Sequence, residues 1–214
     1  SIGIRHATYP PSGEGFVRTS DETLNAIFHM CRRTHLNCME DTFTDSPTYE
    51  QAFWTGDALI SAHINAWLYG AYPLMRHSLV LAAGNALNTP LMNALGPTDW
   101  TVFIPMWSMN WLLGIEQYVD VSGDESILPE LYESVRALMK TFESFVGEDG
   151  AFLINAWNML DWAAMDISNH CVVTGQQAVL ADCCRAASRF ARMLGRASDA
   201  SEYLALSERL KRYI

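Results

Sequence analysis

The chain has 214 residues, half of them hydrophobic and only 18% charged, with a formal net charge of -10. That composition supports a sizeable core and argues against disorder; the acid excess argues against a nucleic-acid surface, which wants a basic stripe, and against attraction to anionic membranes. No apolar run reaches the roughly 18–20 residues needed to span a bilayer, the first residues lack the apolar core of a signal peptide, and five cysteines without a CxxC pair do not make a disulfide framework.

Residues 1–19 are rich in Gly, Pro and Ser and read as strand and loop, a tail from a preceding domain. Helical periodicity begins near Ser20, with Thr19 and Glu22 spaced as a capping box. Leu24, Ile27, Phe28, Cys31, His35 and Cys38 then recur at spacings of 3 or 4, one buried stripe. A second helix follows Gly56 through Leu59, Ala62, His63, Ala66 and Trp67; it is apolar nearly all round and is expected to be an inner helix. Pro73 to Leu87 reads as a third, with proline in its first turn. After a polar loop, a fourth helix spans about 105–121 and ends before Ser122-Gly123-Asp124. The fifth runs over about 126–146, with Leu131, Val135, Leu138, Met139, Phe142 and Phe145 as its stripe. A long, less regular connection carries Trp157 and Trp162. The sixth helix covers about 174–194, stopped by Gly195, and the seventh runs from Ser198 to the end. The last residues, SERLKRYI, stop inside a helical pattern, as expected of a piece of a longer polypeptide. Antiparallel helices that alternate between apolar and amphipathic suit two concentric layers. No 34- or 40-residue period is present, which weighs against TPR or HEAT solenoids.

One stretch, DSPTYEQAFWTGDAL at 45–59, is crowded with acids and aromatics. If it is helical, Glu50, Trp54 and Asp57 share one face at i, i+4, i+7, with Asp45 just upstream. A carboxylic acid against an aromatic ring is partly desolvated, which raises its pKa and suits a general acid. The same spacing fits a helix N-terminus whose acids simply favour the positive end of the macrodipole. Trp100, Trp107 and Trp111 cluster about the start of the fourth helix, and Asp99, Asn158, Asp161 and Asp166 are interleaved with the tryptophans. Rings that stack on sugar C–H faces beside acids that bind hydroxyls fit a carbohydrate site; ordinary packing also accounts for tryptophans. Cys31, His35 and Cys38 could form a metal-binding face or a buried stripe, and no fourth ligand is evident. No P-loop, G-x-G-x-x-G, H-E-x-x-H or G-x-S-x-G is present, so no nucleotide, zinc or serine-hydrolase chemistry is indicated.

The chain resembles the catalytic domain of α-L-rhamnosidases, the inverting glycoside hydrolases of family 78. The resemblance is carried in order by YPPSGEGFVRTSDETLNAIF, like that family's entry from a β-domain into its first barrel helix. DTFTDSPTYEQAFWTGDA follows, like the signature D-C-P-x-R-E followed by W-x-G-D. IPMWSMNWLLGIEQYVDVSGD, MLDWAA and the closing LGRASDASEYLALSERLK complete it. It implies an all-α (α/α)6 toroid or barrel, incomplete in this chain, with residues 1–19 a tail from a β-domain and 20–214 the N-terminal part of the barrel. It implies Glu50 as general acid, with Asp45, Trp54 and Asp57 holding the rhamnose, Trp107 and Trp162 lining the pocket and Asp161 as the acid of the usual G-D-W. The general base of that family would lie beyond residue 214, so the piece alone is expected to be inactive. No metal and no cofactor is implied; the partners are a carbohydrate substrate and the remaining domains of the same polypeptide, with no nucleic acid or membrane. Members are often secreted or periplasmic in glycan-degrading bacteria. Two motifs depart from the family pattern: the cysteine and arginine of D-C-P-x-R-E are Ser46 and Tyr49, and the G-D-W glycine is Leu160. The alternatives are a glycosidase of other sugar specificity on the same fold, or a non-catalytic helical carbohydrate-binding scaffold.

Overall fold

The structure is a computed structural model describing residues 2–3, 7–11, 13–84, 91–165 and 170–214. Asp166 and the expected end of the third helix at 85–87 therefore lie outside the described residues. The described residues form seven helices: α1 (Glu22–Asn37), α2 (Thr55–Leu68), α3 (Tyr72–Ala83), α4 (Pro105–Ser122), α5 (Ile127–Glu143), α6 (Thr174–Met193) and α7 (Ala197–Tyr213). They contain no strand, only isolated bridges, so the strand expected in the N-terminal tail is absent from its described part. That tail is instead tied to the helices by its backbone, Tyr9 donating to the Met39 carbonyl and Gly15 to that of Leu68.

Local chemistry explains most of the boundaries. Pro73 and Pro105 sit in first turns, where a missing N–H costs nothing. Gly123 and Gly195 follow α4 and α6 in the left-handed conformation that L side chains avoid, with φ of 71° and 70°. The α1 cap differs from the expected Thr19 box. Asp21 is the N-cap, its Oδ1 accepting from Thr23 N at 2.8 Å and Leu24 N at 3.3 Å. Thr19 instead pairs with Asn25, its N–H donating to Asn25 Oδ1 at 2.8 Å and its carbonyl accepting from Asn25 Nδ2 at 3.1 Å.

The helices stack in two layers. α2 packs on α4 and α4 on α6; α3, α5 and α7 lie outside them, and α1 touches α2. α4, between two neighbours of its own layer and backed by α3 and α5, is buried on nearly all sides, with Trp111, Leu112 and Ile115 at its centre. The α5 stripe is buried as expected from Leu131 to Phe142; Phe145 lies past the helix end and is exposed.

Two expectations fail for one reason. On α1 only His35 and the C-cap Cys38 of the expected stripe are buried; Leu24, Ile27 and Cys31 are exposed. On α2, Ile60, Ile64 and Trp67 are exposed, Trp67 by 76%. Both stripes are present, but nothing in the described residues covers them. His35 itself is flanked by Phe43 and Tyr69, with ring centroids 6.1 and 6.0 Å away, and burial pushes its pKa down to about 4. Among the described residues no group of three or more His, Cys, Asp or Glu is placed to hold a metal ion, and no helix is long and apolar enough to cross a membrane.

Candidate active site

The segment before α2 is a loop, not a helix. α2 starts at Thr55, so Glu50 and Trp54 precede it and only Asp57 lies in its first turn. The one-face helical geometry expected for Glu50, Trp54 and Asp57 is thus replaced by loop closure. Asp45 N–H donates to the Ala52 carbonyl and Ala52 N–H to Asp45 Oδ1, both at 2.9 Å. Inside that ring Glu50 N–H donates to Ser46 Oγ at 3.3 Å, and Gln51, at φ 51°, donates from Nε2 to Glu40 at 2.6 Å. The loop is then pinned to the chain before α4. Thr55 N–H and Oγ1 both reach the Ala94 carbonyl, at 2.9 and 3.1 Å, and Gly96 N–H donates to Phe53.

Beside this loop lies an open concavity of about 520 Å³, lined by Asp45, Tyr49, Glu50, Trp54, Asp57, Trp100, Ile104, Trp107, Trp157, Met159, Asp161 and Trp162. Every residue expected to act on the sugar therefore lines this one concavity. The contributions come from the N-terminal ends of inner helices. Trp54 and Ile104 are the N-caps of α2 and α4, Asp57 and Trp107 lie in their first turns, and the 157–162 segment abuts α6 through Leu160, packed on Gly175. Helix N-termini carry partial positive charge, which favours the acidic lining. A second cavity, between α2, α3 and α4 and lined by Phe43, Phe53, Met75 and Leu79, holds only about 20 Å³ and is apolar, room for no more than a water.

The concavity has a buried floor and an exposed rim. Ile104, Met159 and Trp107 are buried at its base. Gly56 is required beneath Trp107, because a Cβ there would lie inside the indole; this is the physical content of the glycine in W-x-G-D. Trp107 Nε1–H is buried without an acceptor at full hydrogen-bond geometry, and the Asp57 carboxyl is close enough to feel it. At the rim, Trp54 and Trp100 meet edge to face with centroids 6.1 Å apart, and Trp157 and Trp162 do the same at 6.1 Å.

The electrostatics separate two acids from the rest. Glu50 is held above the ordinary carboxylate range, chiefly by a hydrogen bond shared with Asp45. Burial and the charges of Asp45 and Asp57 add to this, and a hydrogen bond with Trp54 opposes it. Asp57 is also raised, first by the protein packed about its carboxyl and then by the charges of Asp45 and Asp161. Its surface stays reachable across the open mouth, so desolvation acts here through crowding and not through enclosure.

The model of the bacterial alpha-L-rhamnosidase 6 hairpin glycosidase domain matches residues 12–214. This chain belongs to that family. Its fold is similar to a glycoside hydrolase family 78 rhamnosidase of Bacillus sp. GL1, at TM-score 0.92 and 33% identity over 97% of this chain and 22% of that one. A rhamnosidase from Klebsiella oxytoca with rhamnose bound superposes at TM-score 0.80 and 23% identity, over 94% of this chain and 40% of that one. The α-L-rhamnosidase of Dictyoglomus thermophilum does so at TM-score 0.81 and 19% identity, over 96% and 24%. A comparison with curated protein sequences finds no match. The seven helices are thus part of a six-hairpin glycosidase domain, an (α/α)6 toroid, and the chain spans less than half the length of these solved relatives.

Within the rhamnosidase-family site, sequence reading missed the buried floor. Ile104 and Met159 look like core positions, and only their neighbours Trp107 and Asp161 mark the place. Trp100 and Trp157, noted as aromatics, are also wall residues, whereas Asp99 is not and buried Asn158 donates to the Ile154 carbonyl at 2.9 Å. At the departure from G-D-W, Leu160 is accommodated over Gly175, where a Cβ would come within 2.9 Å of Leu160 Cδ1.

Proposed function

We propose that the full-length protein is an inverting α-L-rhamnosidase, releasing terminal α-L-rhamnose with Glu50 as general acid. The observation that carries this is the pairing of Glu50 with Asp45 on the wall of a pocket that also holds Trp54, Asp57, Trp107, Asp161 and Trp162. A carboxyl that stays protonated at higher pH than usual is suited to donate its proton to the leaving oxygen. Asp45, Asp57 and Asp161 then accept hydrogen bonds from ring hydroxyls, while Trp54, Trp107 and Trp162 offer faces to the C–H side of the sugar. An inverting reaction needs a second carboxylate roughly 6.5–9.5 Å away to activate water. We assign that base to a part of the polypeptide beyond residue 214.

The same reading treats residues 1–19 as a tail from a preceding β-domain and 20–214 as one part of the barrel. Further helices of the same polypeptide would cover the exposed stripes of α1 and α2. In support, the described tail holds no helix up to the α1 cap, and those apolar stripes are bare.

In the full-length enzyme, Glu50→Gln is expected to slow hydrolysis of rhamnosides with poor leaving groups by about 10²–10⁴-fold. Steady-state rates on a panel of aryl α-L-rhamnosides graded by leaving-group pKa test this; an unchanged rate on the poorest leaving group removes Glu50 from the role. Residues 1–214 alone are expected to release no rhamnose, and measurable turnover by the isolated piece would show that the base lies within it.

A further inference from the structure

The wall of the concavity runs from buried to open. Ile104, Met159 and Trp107 lie at the base, while Tyr49, at 93% exposure, is the most open of its aromatic residues. In a pocket that takes a terminal sugar at its floor, the departing group must stand toward the rim, on the far side of the bond that the acid protonates. Tyr49 immediately precedes Glu50, and both side chains line the concavity. The loop presenting it is braced: the reciprocal Asp45–Ala52 pair closes it, Ser46 Oγ accepts from Glu50 N–H, and Gln51 is held to Glu40. The Tyr49 ring gains nothing from this brace, being neither packed in the core nor hydrogen-bonded among the described residues. Such an aromatic ring, carried on a braced backbone and unused by the fold, is open to stack on a ligand.

We propose that Tyr49 is a specificity-determining residue of a leaving-group subsite, stacking on a flat-faced group at the rim: an aromatic ring or the C–H face of a second sugar. The proposal rests on Glu50 being the general acid. An arginine here, as in the family pattern, would favour carboxylate or planar polar groups; the phenol favours an apolar face with one hydroxyl within reach.

The test uses the full-length enzyme with three substrates: 4-nitrophenyl α-L-rhamnoside, a rhamnosyl-glucose disaccharide, and methyl α-L-rhamnoside, which has no face to stack. Free L-rhamnose serves as competitive inhibitor. Tyr49→Ala is expected to lower kcat/KM about 3- to 10-fold on the substrates whose leaving groups stack. It should leave the methyl glycoside and the inhibition constant of rhamnose within about twofold, and Tyr49→Phe should resemble the parent. A loss confined to the aryl substrate or to the disaccharide supports stacking and names the face. Equal losses on all three substrates, weakened inhibition by rhamnose, or no loss at all overturn the assignment. Glu50→Gln, measured alongside, separates the two ideas. If it spares the poor leaving groups, the acid assignment falls and Tyr49's role with it; if it slows them while Tyr49→Ala does not discriminate, only the subsite falls.

Discussion

Asp45 shows how one side chain serves the loop and the chemistry together. Its Oδ1 holds the Ala52 N–H, so the loop cannot open without breaking that bond, and its carboxyl is the main reason the Glu50 pKa is raised. Asp45→Asn separates the two functions, since the amide oxygen can still accept from Ala52 while the charge is gone. The sign follows directly: without the neighbouring anion Glu50 gives up its proton at lower pH, and the acid form that the proposed mechanism uses is lost sooner as pH rises. The alkaline limb of the kcat/KM profile of the full-length enzyme should therefore move toward lower pH. A limb that stays in place would show that Asp45 does not set the Glu50 proton. Glu50 and Asp57 were singled out by the family resemblance, since their spacing alone fits a capped helix entry equally well. The placement of Glu50 and Trp54 off a helical face was not legible, because the periodicity of 45–54 mimics a helix that the closed loop, with Gln51 at positive φ, replaces.

At the scale of elements, helix existence and ends follow from periodicity and punctuation, which act locally. The long connection from α5 to α6 is different, because what orders it is buried and remote. Gln177, on α6 and fully buried, accepts from Phe152 N–H at 2.8 Å and donates to the carbonyls of Gly150 and Leu210 at 2.7 and 3.0 Å. It ties the start of the connection to α6 and α7, upstream of Trp157 and Trp162. Gln177→Leu would strand three backbone groups away from water and should cost about 2–4 kcal/mol, read as a lower urea midpoint with an unchanged m-value. A glutamine in an Ala-rich helix gives no hint of this in sequence. The α4–α6 seam is similar. Glu116, nearly buried, accepts from Arg185 Nη1 and Nη2 at 2.8 and 2.5 Å and from Arg189 at 3.1 Å, and these charges look like a solvated face when read along the chain.

For the whole molecule, the bare stripe of Ile60, Ile64 and Trp67 on α2, with Leu24, Ile27 and Met30 on α1, is the largest consequence of the architecture. Exposed apolar stripes of this kind promote association. If further helices of the polypeptide cover it, Ile64→Glu with Trp67→Glu should lower the stability of the full-length protein by about 2–4 kcal/mol. The same pair should make the isolated 1–214 piece less prone to self-associate in sedimentation velocity. Unaltered stability of the full-length double variant would show that the stripe remains open to water there.

By itself the sequence determined the helix count, the order of the helices, most of their ends and the chemical types at the site. Each of these is written in residues three or four apart, or in single prolines and glycines whose backbone limits act on the spot. Only the tertiary structure decided that Asp45, Trp107 and Trp162 line one concavity, that Ile104 and Met159 are its floor, and that the α1 and α2 stripes are bare. Those facts depend on which helix ends meet, and apolar periodicity shows that a face wants cover without saying what covers it.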